Sequence, residues 1–98
     1  MNNGTNGDGY TVIAQTGVRQ NLVTSSLPCN RLDLRALSTN TGDIAVGGNT
    51  VSISPVSGIQ LHPDEIYNLE LITDALNVII VGNAGDVISY SWWTGDRN

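Results

Sequence analysis

Arg31-Leu-Asp-Leu-Arg-Ala-Leu37, continued by Ser38-Thr-Asn-Thr-Gly-Asp-Ile-Ala-Val-Gly47, is the stretch that decides the fold. In its first half Leu32, Leu34 and Ala36 alternate with Arg31, Asp33 and Arg35. Successive side chains of a strand point to opposite faces, so a period of two describes a strand with one buried face and one wet face. Across the wet face Arg31, Asp33 and Arg35 can screen one another. Asn40-Thr-Gly-Asp43 then reads as a turn, because glycine accepts a positive φ and Asn or Asp side chains bond nearby amides. Ile44 to Val46 makes a brief strand before Gly47-Gly-Asn49 turns again.

The same rhythm runs outward in both directions. Upstream lie Tyr10 to Gln15, a short β-branched run, and Val18 to Thr24, which places Val18, Gln20 and Leu22 on one side. Downstream, Val51 and Ile53 alternate with polar residues until Pro55 stops the pairing. Ile59 and Leu61 lead into the turn His62-Pro-Asp-Glu65, and Ile66 to Thr73 resumes the pattern with Tyr67, Leu69 and Leu71 on one face. A helix over Pro63 to Ala75 fits less well, since Asn68 and Thr73 are weak helix formers. Asn77-Val-Ile-Ile-Val81 is apolar without interruption, which predicts a central strand covered on both faces. Gly82-Asn-Ala-Gly-Asp86 is expected to turn it back as a hairpin onto Val87 to Trp93. The expected fold is all-β: a single small antiparallel β-sandwich or jelly-roll-like barrel of about eight strands. Residues 1–9, with three glycines, three asparagines and no apolar residue after Met1, read as a flexible N-terminal arm. The β domain then spans residues 10–93, with a polar tail at 94–98.

Ninety-eight residues hold one core. Four arginines stand against nine acids, with no lysine, for a net charge of −5. An acidic surface repels phosphate backbones and anionic lipid, so neither nucleic acid nor membrane is an expected partner. No apolar run reaches membrane-spanning length, and the N-terminus lacks a basic start and apolar centre, so synthesis in a cytoplasm is expected. A single cysteine, Cys29, leaves no internal disulfide and no thiolate zinc cage, and it reads as a small packed residue.

Residues that could carry chemistry are few. His62 is the only histidine, and beside Pro63 and Asp64 it reads as an exposed turn residue without a nucleophile elbow. Asp43, Asp74 and Asp86 sit in oxygen-rich loops, yet none shows the ligand rhythm of a calcium loop. Asp64 and Glu65 are neighbours in one turn, whereas paired-carboxylate catalysis needs two groups facing across a cleft. The expectation is a non-enzymatic protein without cofactor or metal. Trp92 and Trp93 are adjacent on a strand, so one fills the core and the other stands outside as a contact residue for a second subunit or a sugar ring. The candidate partner-contact residues are Trp92, Trp93, Tyr10 and, in the arm, Asn2 and Asn3.

Four segments carry a resemblance: Arg31-Leu-Asp-Leu-Arg-Ala36, Thr41-Gly-Asp-Ile-Ala-Val-Gly47, Gly58-Ile-Gln-Leu-His-Pro-Asp-Glu65 and Asn77-Val-Ile-Ile-Val-Gly-Asn-Ala-Gly-Asp-Val-Ile-Ser-Tyr90. In this order the chain resembles small virion proteins of tailed bacteriophages. The likeness spans Arg31 to Tyr90. It departs at Asp64, where the pattern Leu-x-Pro-Gly-Glu carries glycine, and in the Trp92-Trp93 ending. The resemblance implies a decoration or cement protein on the virion capsid surface, commonly a homotrimer, with the major capsid protein as partner. A neck, tail or fibre component and a carbohydrate- or receptor-binding β module are the alternatives. On this reading, deleting Met1 to Gly9 leaves folding intact and weakens attachment to the particle.

Overall fold

The computed structural model describes residues 6–53, 56–70 and 72–94. Ten strands form among them: β1 Asn6–Val12, β2 Gln20–Asn21, β3 Arg31–Ala36, β4 Ile44–Gly47, β5 Ser52–Ile53, β6 Val56–Ser57, β7 Ile59–Leu61, β8 Ile66–Leu69, β9 Ile79–Val81 and β10 Val87–Trp93. A single 3-10 turn, Ala75–Asn77, precedes β9. Eight of the strands make two four-stranded antiparallel sheets, ordered β1-β10-β3-β8 and β2-β9-β4-β7, while β5 and β6 pair as a separate ribbon. Consecutive strands of the eight alternate between the sheets, except that β4 and β7 are neighbours in one sheet. That winding is the eight-stranded jelly roll, one of the two architectures the spacing predicts.

The alternation in Arg31–Ala36 sets the core as expected. Leu32, Leu34 and Ala36 are buried, and they meet Ile88 of β10 and Ile44, Val46 and Ile80 of the facing sheet in one apolar cluster. Both faces of β9 and β4 are covered, as the uninterrupted run predicts. Ile80, Ile44 and Val46 point into the main core, while Ala45 and Val81, with Ile79 beside them, pack with Val51 on the opposite face. Cys29 is buried within the main cluster.

Three expectations are corrected. The flexible arm does not extend to Gly9, because Asn6–Gly9 already belong to β1 and pair with Tyr90–Trp93 of β10. Glycine composition disguised this: Gly7 lies opposite Trp92 and Gly9 opposite Tyr90, and both rings lean over the glycine backbone. Deleting residues 1–9 therefore removes more than half of a paired strand, and folding is no longer expected to survive intact; residues 1–5 lie outside the described residues. The second correction concerns Gly82 to Asp86, which is no hairpin. It carries the chain from β9 in one sheet to β10 in the other. Third, the strand expected over Val18 to Thr24 shrinks to Gln20–Asn21: Val18 is exposed and Leu22 is fully buried. The turn at His62 to Glu65 forms as read, with Asp64 at φ 74°, the left-handed region that Asp tolerates better than most residues.

The crossing is fastened by side chains. Asp86, 3% exposed, is the one buried charged residue among those described. Its carboxylate accepts bonds from the Thr41 amide at 2.9 Å, the Thr41 hydroxyl at 3.0 Å and the Gly42 amide at 3.1 Å. One residue on, the Asn40 amide side chain both donates to the Val87 carbonyl and accepts from the Val87 N–H, each at 2.8 Å. At the other end Asp74 caps the 3-10 turn through Leu76 N–H and also holds the Leu27 N–H and Ser26 hydroxyl.

Two substitutions check this packing. Leu34→Ala is expected to cost about 2–5 kcal/mol in denaturant unfolding, the range for truncating a large buried aliphatic side chain; no measurable loss would place Leu34 on the wrong face. Gly9→Val is expected to lower the thermal midpoint, because a Cβ there would stand 2.6 Å from the Tyr90 hydroxyl. An unchanged midpoint would show that β1 does not hold this register.

Candidate functional site

The face of the β1-β10-β3-β8 sheet turned away from the core carries the most conspicuous surface chemistry. Strand register arranges it in rows. Tyr10, Ser89, Arg35 and Ile66 lie side by side across all four strands, and Asp8, Ser91, Asp33 and Asn68 form the next row. Asn6, Trp93 and Arg31 make a third. Six large hydrophobic side chains are exposed among the described residues, and four of them, Tyr10, Val12, Ile66 and Trp93, belong to this one face. Tyr10 is 70% and Ile66 63% exposed, separated by small Ser89 and by Arg35. The strand period puts them there: each is the residue between two inward-facing ones.

Charge on this face is arranged locally. The Arg31 guanidinium lies 5.4 Å from the centre of the Trp93 ring and 3.2 Å from the Asp33 carboxylate. Asn68 donates to the same carboxylate, and Arg35 pairs with Asp64 in the turn before β8. These exposed pairs contribute little stability, but they hold two guanidinium groups in fixed positions among apolar side chains.

Adjacent tryptophans divide as alternation requires. Trp92 is half-buried and packs against the main cluster, whereas Trp93 points outward and stays 38% exposed. Tyr10 stands on the same outward face as Trp93. Asn2 and Asn3 lie outside the described residues. Sequence reasoning named Trp92, Trp93 and Tyr10, of which Trp93 and Tyr10 stand on this face, but missed Ile66, Arg31 and Arg35 as their neighbours. The signal was present in the outward positions of Arg31–Leu37; what joins those positions to Tyr10 is strand order, which lies outside any local pattern.

Grooves open along both edges of the sandwich. One, of about 470 Å³, lies where β1 and β2 part, between Tyr90 and Trp92 on one side and the segment from Gln20 to Leu27 on the other. The second, about 410 Å³, lies beside β7 and β8 and is lined by Ile59, Tyr67, Leu69 and Val78 among others. The loop acids considered as calcium ligands are each engaged in protein contacts. Asp86 and Asp74 hold backbone amides, and Asp43 accepts from the Gln60 side chain and meets His62 Nδ1 at 2.7 Å. Among the described residues no three His, Cys, Asp or Glu side chains gather closely enough to hold a metal ion. Burial pushes the Cys29 thiol up, as does the nearby Asp74 charge, against a bond with Ala75.

No protein-family model, curated protein or solved structure matches the chain.

The Asp43 carboxylate raises the His62 pKa above 6.5, first through its hydrogen bond and then through its charge. A raised value means the contact strengthens the fold fully below pH 6.5 and is lost as pH rises through the shifted value. Asp74 behaves oppositely. The Ser26 hydroxyl, then the Leu76 and Leu27 amides, lower its pKa from 3.8, so its contribution is present above that pH and disappears on acidification through the lowered value. In an NMR titration His62 is expected to titrate above 6.5, and Asp43→Asn is expected to bring its midpoint down. A parent midpoint at or below 6.5 would mean that the pair does not form in solution.

Proposed function

We propose that the chain is a non-enzymatic structural virion protein, a decoration or cement protein. It binds the assembled head of a tailed phage and stabilises the joints between capsomers, acting as a homotrimer on the capsid surface. The observation that carries this reading is the outer face of the β1-β10-β3-β8 sheet. A folded monomer rarely gathers its exposed large hydrophobic residues on one face, and such faces are where proteins meet. Tyr10, Trp93, Arg31 and Arg35 are of the residue types that dominate the centres of protein interfaces, while Lys, which is depleted there, is absent from the chain.

The resemblance of Arg31 to Tyr90 to phage virion proteins supplies a capsid shell as the partner for such a face. Jelly rolls also recur among viral capsid domains, an argument of analogy only. A cement role requires area and symmetry instead of catalytic groups. Three copies around a symmetry axis convert weak individual contacts into strong attachment, raising apparent affinity by roughly 10²–10⁴.

Light scattering over a tenfold concentration range is the first test, followed by binding to emptied phage heads. The expected mass is about three times 10.4 kDa, and Trp93→Ala with Tyr10→Ser is expected to lower occupancy on heads at least tenfold. A chain that stays monomeric at every concentration and is not retained on heads would overturn the proposal. Full occupancy by the double variant would remove this face from the interface.

A further inference from the structure

The groove at the β1–β2 edge differs in chemistry from the outer face, and the geometry points to a binding site for a neutral saccharide there, independent of any capsid role. Its aromatic wall is formed by Tyr90 and Trp92, two residues apart on β10 and therefore on the same side of the strand. Opposite them on β1 stand Gly9 and Gly7. With no side chain at either position the two rings spread across β1 toward the sheet edge; a Cβ at residue 7 would come within 2.8 Å of the Trp92 ring. The result is a half-buried aromatic platform laid over the glycines of β1, whose own contributions to the groove are Tyr10 and Thr11.

The facing wall mixes the apolar Leu22, Val23 and Leu27 with uncharged polar side chains. Gln20, Asn21, Thr24 and Ser25 are among its polar members, and among the described residues no carboxylate, guanidinium or imidazole lines the groove. Thr24 and Ser25 are exposed, whereas other polar groups are already committed. Thr11 donates to the Leu22 carbonyl, Gln20 donates to the Val12 carbonyl and accepts from the Ala14 N–H, and Asn21 donates to the Leu76 carbonyl. These bonds fix the orientation of the wall and leave the Asn21 side-chain oxygen with acceptor capacity beside the free-standing hydroxyls. Ser26 is tied to the Asp74 carboxylate.

This combination selects by chemistry. Sugar C–H groups carry slight positive charge and stack on the negative face of an aromatic ring, while their hydroxyls need neutral donors and acceptors at the rim. Among the described lining residues an anionic ligand would find no cation, and a cationic one no carboxylate. The volume, about 470 Å³, falls within the roughly 300–1,000 Å³ of small-molecule sites. The outward tryptophan, expected from sequence as a contact for a second subunit or a sugar ring, is Trp93 and faces away from this groove; the inward Trp92 lines it.

The test is NMR titration of the full chain with cellohexaose, maltohexaose, xylohexaose and chitohexaose, with a hyaluronan hexamer as the anionic control. At least one neutral oligosaccharide is expected to bind with a millimolar or tighter dissociation constant and to shift the Trp92 indole N–H while leaving that of Trp93 in place. Because Trp92 packs against the core, the site is blocked from its exposed wall: Thr24→Arg, with its thermal midpoint unchanged, is expected to weaken binding at least tenfold. Ile59→Ser, at an exposed position on the far edge of the other sheet, is expected to bind as the parent does. Failure of all four neutral sugars to shift Trp92, binding by hyaluronan alone, or undiminished binding by Thr24→Arg would each overturn the proposal. None of these outcomes bears on the oligomer or on attachment to heads.

Discussion

The carboxylate of Asp86, buried where the chain leaves one sheet for the other, is the contact on which the jelly-roll winding depends. Strands that alternate between two sheets must repeatedly abandon one hydrogen-bond ladder before joining the next. Backbone groups at such crossings lose their ladder partners in a place where water is scarce, and a buried amide without a partner costs free energy. Asp86 supplies acceptors to Thr41 and Gly42, and Asn40 imitates a strand partner for Val87. The crossing from β9 to β10 and the crossing from β3 to β4 are thus fastened to each other. With those two loops locked, β10 is placed between β1 and β3, which in turn builds both the outer face and the aromatic wall of the groove.

Much of this was legible in the chain. Period-two alternation in Arg31–Leu37 identified the buried side of β3, and the apolar run before Gly82 identified a strand covered on both faces, because burial imposes its pattern on the residues themselves. The division of Trp92 inward and Trp93 outward follows from the same rule. What escaped reading was non-local. Glycine-rich Asn6–Gly9 looks like a loop when considered alone, and only the rings of Tyr90 and Trp92, more than eighty positions away, give those glycines a reason to be in a strand. The sequence Gly82-Asn-Ala-Gly-Asp86 carries ordinary turn chemistry, and nothing local distinguishes a turn back onto the same sheet from a passage to the other one.

The candidate sites divide along the same line. Tyr10 and Trp93 could be singled out by residue type, since large aromatic side chains on a weakly charged surface stand out. Their assembly with Ile66, Arg31 and Arg35 into one face required the order β1-β10-β3-β8. The edge groove was still less accessible, as its walls come from β10 in one sheet and from β2 in the other with the segment that follows it. A surface made by bringing distant segments together leaves no periodicity for a reader of sequence to find.

Asn6 and Trp93 are cross-strand partners, which places their Cα atoms roughly 5 Å apart, the spacing of directly opposed residues in an antiparallel pair. The polypeptide thus enters and leaves the jelly roll through a single doorway. A domain with that property can be spliced into a surface turn of another protein without prying the host's strands apart, and its own ends can be joined by a short linker and reopened elsewhere. The pairing that corrects the boundary of β1 also makes this fold a portable cassette.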